Sequence, residues 1–395
     1  MKIDKGAISN PRILARRELL KLIFASPIFG AMAGLPVSGF ATPDRATPEI
    51  ASQAFNIFQI KKVASEKLPL PVWHFIINGS DDGKTMAANR EVFDEWELRV
   101  RRMIDVSNID TSVELFGDTF PSPIILAPIG AQQRVHPEGE LATANVAVKR
   151  KQLMIASMMT NYSFTEIATV GGPLWFQMYS SPHTEMMEHM LSLAEAENTP
   201  VLVLTVDTSS RGNREGERWF RRQITQTGMR LGNFENYKGR MMIGDPSMTW
   251  DIIKWLRDNT RMKIVLKGIV TREDAALAVD HGVDGIIVSN HGGRQEESNR
   301  ATLDSLIEVL EGTQDSIPVL IDGGFRRGTD IFKALALGAR AVAIGRPQAY
   351  GLGAFGQEGV DQVLRILNTE LETIMKFVGA TSLSAIKRES LIRKD

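Results

Sequence analysis

Two short segments of the 395-residue chain combine glycine with arginine as an anion site requires: D-G-G-F-R-R-G at 322–328 and G-R-P at 345–347. Glycines let backbone N–H groups come close to a phosphate, and arginines add charge-assisted hydrogen bonds. Either motif alone reads equally well as a glycine turn with solvated arginines. Side chains able to transfer protons or stabilise charge, Tyr179, Asp207, Lys267 and His291, lie upstream, each at the end of an apolar run. Together these residues describe a site that holds a phosphate and performs acid–base chemistry.

What must position them is a repeated unit. From residue 123 onward, short apolar runs alternate with helical stretches: 123–128, 153–157, 173–179, 201–207, 263–267, 284–290, 318–322 and 341–345. Eight nearly continuous apolar runs are buried on both faces, which predicts an α/β fold, a closed (β/α)8 TIM barrel. In such barrels the chemistry collects at the C-terminal strand ends. There the sequence places Pro128, Ile129 and Gly130, then Ser157, Gln177 with Tyr179, Thr205 with Asp207, Lys267, Asn290 with His291, Asp322, and Gly345 with Arg346. One Asp or Asn after a strand is often only a turn or cap. A barrel, however, needs no lysine, histidine and tyrosine at one mouth for its stability. The two glycine–arginine segments follow strands seven and eight, where barrels usually bind phosphate.

Composition narrows the class. Apolar residues make up 43% and charged residues 24%, the balance of a protein that buries a large core rather than a disordered or multi-span membrane chain. With 46 Lys+Arg against 47 Asp+Glu the net charge is -1, so nucleic acid is not expected as a partner. The chain has no cysteine, which removes disulfides, thiolate metal sites and cysteine nucleophiles, and no metal is expected. Residues 1–41 carry Arg12, Arg16, Arg17 and Lys21 ahead of an apolar stretch broken by Pro27, Gly30, Gly34, Pro36 and Gly39. This resembles a twin-arginine export signal and predicts a periplasmic or exported protein; the alternative is a cytoplasmic chain whose arginines open an amphipathic helix. Residues 42–66 then read as a polar linker and lead-in helix, and 67–395 as the barrel.

S-N-H-G-G-R-Q (289–295), followed by D-G-G-F-R-R-G-T-D, resembles the FMN-dependent 2-hydroxy acid oxidase and dehydrogenase family, which includes glycolate oxidase, lactate oxidase and mandelate dehydrogenase. A-P-I-G-A (127–131) with H-P-E-G-E (136–140), W-F-Q-M-Y (175–179), T-V-D-T (205–208) and V-L-K-G (265–268) are similar to its other blocks, in order, across residues 66–393. The resemblance implies FMN as cofactor, held by backbone at Pro128, Ile129 and Gly130, by Ser157, Gln177 and Thr205 around the ring, and by Lys267, with Ser289 also in the cofactor-binding set. It implies a phosphate site of Asp322, Gly323, Gly324 and Arg326 with Gly345 and Arg346. On the substrate side it implies His291 as base, Asp207 orienting it, Arg294 and Arg214 on the carboxylate, and Tyr179 on the hydroxyl oxygen. Oxygen, a quinone or a redox protein would accept the electrons, and a homotetramer is the implied assembly.

Several positions depart from the family's pattern. Phe75 stands where a carboxylate-binding tyrosine is usual, Met159 where several members carry a bulky aromatic, Glu296 and Glu297 where Leu-Asp is common, and Arg211 where an apolar residue is usual. A pocket with Phe75 and Met159 suggests a 2-hydroxy acid larger than glycolate, aryl or aliphatic. Two other readings compete: an exported FMN-binding protein that binds a ligand without turnover, and a phosphate-binding lyase or isomerase without flavin.

Overall fold

The computed structural model describes residues 47–220 and 230–394, so the expected export signal lies outside the described residues. The eight apolar runs form eight parallel strands: β1 (Ile124–Leu126), β2 (Met154–Ser157), β3 (Leu174–Tyr179), β4 (Val201–Thr205), β5 (Lys263–Ile269), β6 (Gly285–Val288), β7 (Val319–Ile321) and β8 (Val342–Ile344). They pair in chain order, and β8 closes on β1 with Val342 opposite Ile124 and Ile344 opposite Leu126. Closure leaves no strand edge unpaired. This is the expected (β/α)8 barrel.

Successive side chains of a strand point to opposite faces, so each strand feeds two cores. Ile125, Ile155, Trp175, Val203, Val265, Ile287, Leu320 and Ala343 form one apolar cluster, while the residues between them join a larger cluster with the helices. The first cluster also includes Val113, Leu115 and Phe120 of an antiparallel hairpin, Val113–Leu115 with Asp118–Phe120. Its turn residues Phe116 and Gly117 both have positive φ, 53° and 95°, as a two-residue hairpin turn requires. The Phe116 ring lies 5.4 Å from that of Trp175, so the hairpin stoppers the N-terminal end of the barrel.

Helix α1 (Ile57–Lys67) begins at Asn56, whose side chain accepts a bond from the Gln59 N–H at 2.9 Å. It buries Ile57, Ile60 and Val63, the two isoleucines completely, each contributing about 1.5–3 kcal/mol. Its partner is the long C-terminal helix α5 (Arg346–Val378), kinked at Phe355 and Gly356. The segment read as linker and lead-in helix is thus folded into the core from Ala51 onward. Three shorter helices frame the barrel mouth: α2 (Leu70–Ile77), α3 (Lys84–Glu91) and α4 (Glu215–Phe220).

Candidate active site

Toward the C-terminal strand ends the alternation that fills the barrel continues, but its residues turn polar. Two positions beyond Ile155, Trp175, Val203, Val265, Ile287 and Leu320 come Ser157, Gln177, Thr205, Lys267, Ser289 and Asp322, none more than 8% exposed. Buried polar groups are costly unless paired, and these pair around the ring. Ser157 Oγ donates to Gln177 Oε1 at 2.8 Å and Gln177 Nε2 to Thr205 Oγ1 at 2.9 Å. Lys267 Nζ donates to Ser289 Oγ and Ser289 Oγ to Asp322 Oδ1, both at 2.8 Å. Burial opposes the charge on Lys267, but Asp322 and Asp207, 3.4 and 4.0 Å away, outweigh it and hold its pKa above the ordinary 10.5. The result is a buried polar floor with one fixed ammonium, suited to the polar edge of a planar heterocycle.

His291 follows Ser289 by two residues, and its Nδ1 lies 3.0 and 3.2 Å from the two carboxylate oxygens of Asp207. With Nδ1 so engaged, Nε2 is the nitrogen left to act as base. Burial pushes the imidazole pKa below 6.5, with Asp207 pulling upward and Lys267 downward. Burial alone would raise the pKa of Asp207, but His291 and Lys267 hold it below the ordinary 3.8. At neutral pH the pair is therefore a neutral imidazole on an ionised carboxylate. The backbone here is left-handed, with φ of 57° at His291 and 72° at Gly293, where a Cβ would stand 2.5 Å from the Met86 nitrogen. The His291 N–H donates to Ser289 Oγ at 3.0 Å, tying that turn to the polar floor. Other histidines serve elsewhere: His189 Nε2 bonds with Asn233 O, and His281 stacks on Trp250.

The arginines arrive on loops. Arg294 Nη1 donates to the carbonyls of Phe75 (2.8 Å) and Asn78 (3.2 Å), and its Cζ lies 5.4 Å from the centre of the Phe75 ring. Burial, then Arg214 and Arg346, lower the pKa of Arg294 to about 9. Arg214 donates to Arg294 O and to Gln295 Oε1, and its Nη1 lies 3.2 Å from Glu217. Tyr179, its own pKa raised mainly by burial, feels the charges of Lys267, Asp207, Arg214 and Arg294 together. The expected substrate-side residues thus converge. Gln295, Glu217 and Arg134 were not singled out from the sequence, yet they belong to the same cluster. Gln295 Nε2 donates to Asp207 O at 3.0 Å while its carbonyl oxygen accepts from Arg214, coupling base and cation. The unusual Glu297 lies away from this chemistry, accepting from the Lys84 N–H at the start of α3, while Glu296 accepts from Ser298 N–H.

At the glycine–arginine end, two side chains differ from expectation. The Asp322 carboxylate, expected beside a phosphate, is turned to Lys267 and Ser289, where a negative charge offsets a positive one. Arg346, expected on the same phosphate, gives Nε to Ile76 O, Nη1 to Gly292 O and Nη2 to Asn78 O at 2.7–2.9 Å. These carbonyls include the last of α2, which lack intrahelical donors and attract cations, so Arg346 and Arg294 jointly cap that helix. Two of the five guanidinium N–H groups of Arg346 remain beyond those bonds. Gly323 and Gly324 have φ of 103° and 85°, and Arg90, unanticipated, donates to Gly324 O and, at 2.7 Å, to Asp330. A Cβ on Gly324 would collide with Asn89 O. Arg326 lies over the Tyr350 ring at 5.6 Å, and burial, the largest influence on it, lowers its pKa. Paired left-handed glycines, buried arginines and the N-terminus of α5 after Gly345 make a cradle for a phosphate monoester.

Comparison with known proteins agrees with this geometry. The family described as FMN-dependent dehydrogenase matches residues 64–393. Glycolate oxidase of Spinacia oleracea is 39% identical over 351 residues, 85% of this chain and 95% of that one. L-lactate oxidase of Lysinibacillus sphaericus is 37% identical over 357 residues, 85% and 92% of the two chains. A soluble mutant of the membrane-associated (S)-mandelate dehydrogenase from Pseudomonas putida superposes with a TM-score of 0.82 at 34% identity, covering 86% of this chain and 99% of that one.

Proposed function

This chain belongs to the FMN-dependent dehydrogenase family, and from that premise we propose that it oxidises a 2-hydroxy acid larger than glycolate, with His291 as the base. The observation that carries the reading is the His291–Asp207 pair, set beside the buried Lys267 and within one cluster with Arg214, Arg294 and Tyr179. The residues fit the cofactor. Ser157, Gln177, Thr205 and Lys267 would meet its ring, and Gly323, Gly324, Arg326 and the start of α5 its phosphate. Bound there, FMN supplies the two-electron sink that no protein side chain here can provide.

The protein's own part is binding, orientation and proton transfer. Arg214 and Arg294 hold the substrate carboxylate, which restores charge balance to a buried guanidinium. Tyr179 bonds the hydroxyl oxygen as it becomes a carbonyl. His291 Nε2 takes up a proton released when the carbinol loses two electrons, and Asp207 stabilises the imidazolium so formed. Lys267 places positive charge where the reduced cofactor is negative.

The test is anaerobic. Purified protein should be yellow, and racemic 2-hydroxy acids such as lactate or mandelate should bleach it; a coloured protein that no 2-hydroxy acid bleaches overturns the reading. Reoxidation by air in one sample and by a quinone analogue in another identifies the acceptor, oxygen or a quinone or redox protein. Export remains our proposal from Arg16 and Arg17. Replacing both by lysine should strand the protein uncleaved in the cytoplasm, and finding the parent there at full length refutes it.

A further inference from the structure

The mouth of the barrel holds more positive charge than one carboxylate requires. Arg134 ends the 3-10 turn Gln132–Arg134, just beyond β1. That turn is fixed from beneath: Gln132 N–H donates to Oε1 of the buried Glu140 at 2.9 Å, and Gln133 N–H to Asn161 Oδ1 at 2.8 Å. The Gln132 side chain is held too, donating to Ile129 O and accepting from Thr143 Oγ1. Arg134 is thus presented by a rigid element, with its Cζ 5.2 Å from the centre of the Phe75 ring. Arg294 lies 5.4 Å from that same centre. The nearby carboxylate is Glu217 on α4, which meets Arg211 at 2.8 Å, Arg214 at 3.2 Å and Arg294 at 3.9 Å. Four guanidinium groups therefore gather at one aromatic ring and one carboxylate.

A substrate with a single carboxylate would offset only part of this surplus, and its anion would go to Arg214 and Arg294. We propose that the preferred substrate is a 2-hydroxy acid whose side chain ends in a second anionic group, most simply a carboxylate, and that Arg134 binds that group. Phe75 then has a definite task. Unable to donate a hydrogen bond, its ring spaces the cation that holds the first carboxylate from the cation that holds the second, and its quadrupole attracts both. The inference rests on the oxidation reading above and narrows its substrate to a dicarboxylate-like class.

The experiment compares (S)-2-hydroxyglutarate with (S)-2-hydroxyhexanoate, which is of similar length but lacks the second charge, by anaerobic flavin reduction and apparent Kd. The parent should bind the dicarboxylate about ten- to a hundredfold more tightly, the range for a charged hydrogen bond, and added salt should erode that preference. Arg134→Gln should abolish the preference while leaving 2-hydroxyhexanoate within about twofold of its parent value. Arg134→Lys should restore part of it. Equal affinity for the two acids in the parent overturns the proposal. So does a uniform loss for both acids in Arg134→Gln that lysine fails to repair, since this would mark a structural role. Should Arg134→Gln fail to fold, the parent's preference and its salt dependence still decide. If lactate or mandelate bleaches the flavin but the dicarboxylate is not favoured, only this inference fails. If no 2-hydroxy acid bleaches it, the oxidation reading itself is lost.

Discussion

Along β3 the inward side chain changes from Trp175 to Gln177, and along β6 from Ile287 to Ser289, within two residues. Below that line the inward positions are apolar and packed under a hairpin; above it they are bonded to one another and offer donors to a ligand. The outward neighbours do not change: Met178, Leu204, Leu266 and Val288 are apolar and almost wholly buried at both levels. One face of a strand can therefore be converted to chemistry while the other keeps the barrel closed. The two ends should respond to mutation in different currencies, the mouth in rate and the base in stability.

The largest effect is expected at the mouth. His291→Ala should keep the fold and the bound flavin yet slow anaerobic flavin reduction by about 10²–10⁴-fold or more, the usual contribution of a general base. Reduction within tenfold of the parent would reject His291 as the base. The parent's pH profile sharpens the point. Because burial lowers the His291 pKa, the imidazole stays unprotonated, and reduction stays fast, to a pH below the ordinary 6.5. Asp207 opposes that shift, so Asp207→Asn should move the acid limb lower still.

At the closed end, Trp175→Ala should destabilise the fold by about 3–5 kcal/mol, as large-to-small core changes do, while the reduction rate of the protein that remains folded is unchanged. Denaturant melts read against single-turnover rates test this separation. A Trp175 variant with native stability and slow chemistry would mean that the two ends are not independent.

The sequence exposed the barrel clearly because each strand is a short apolar run that ends in a residue a barrel does not need. The same signal marked Lys267, Asp207 and His291, and the structure brings them together. It was silent where orientation comes from tertiary contacts. Arg134 sits on a turn whose direction depends on Glu140 and Asn161, a bond network with no local spacing. Glu217 and Gln295 acquire their roles only when the β4 and β6 loops meet at Arg214. Arg346 read as a phosphate ligand because its motif follows strand eight; no local pattern showed that the end of α2, 270 residues earlier, would claim three of its N–H groups. For the same reason α1 looked like a lead-in, since its partner is the C-terminal helix.

Those long separations bear on how the protein is made. Arg294 reaches back 219 residues to Phe75, Arg346 reaches 270 to Ile76, and Gln362 donates to Ala54 across 308. A ribosome delivers α2 early and its capping arginines late, so the helix that walls the site waits through most of translation with its final carbonyls unmet. Until β8 emerges to pair with β1, the nascent chain is an open sheet with two bare edges, the form most exposed to mispairing. The active site is accordingly a product of chain completion, and a stalled or truncated chain carries its machinery in pieces that cannot bind anything.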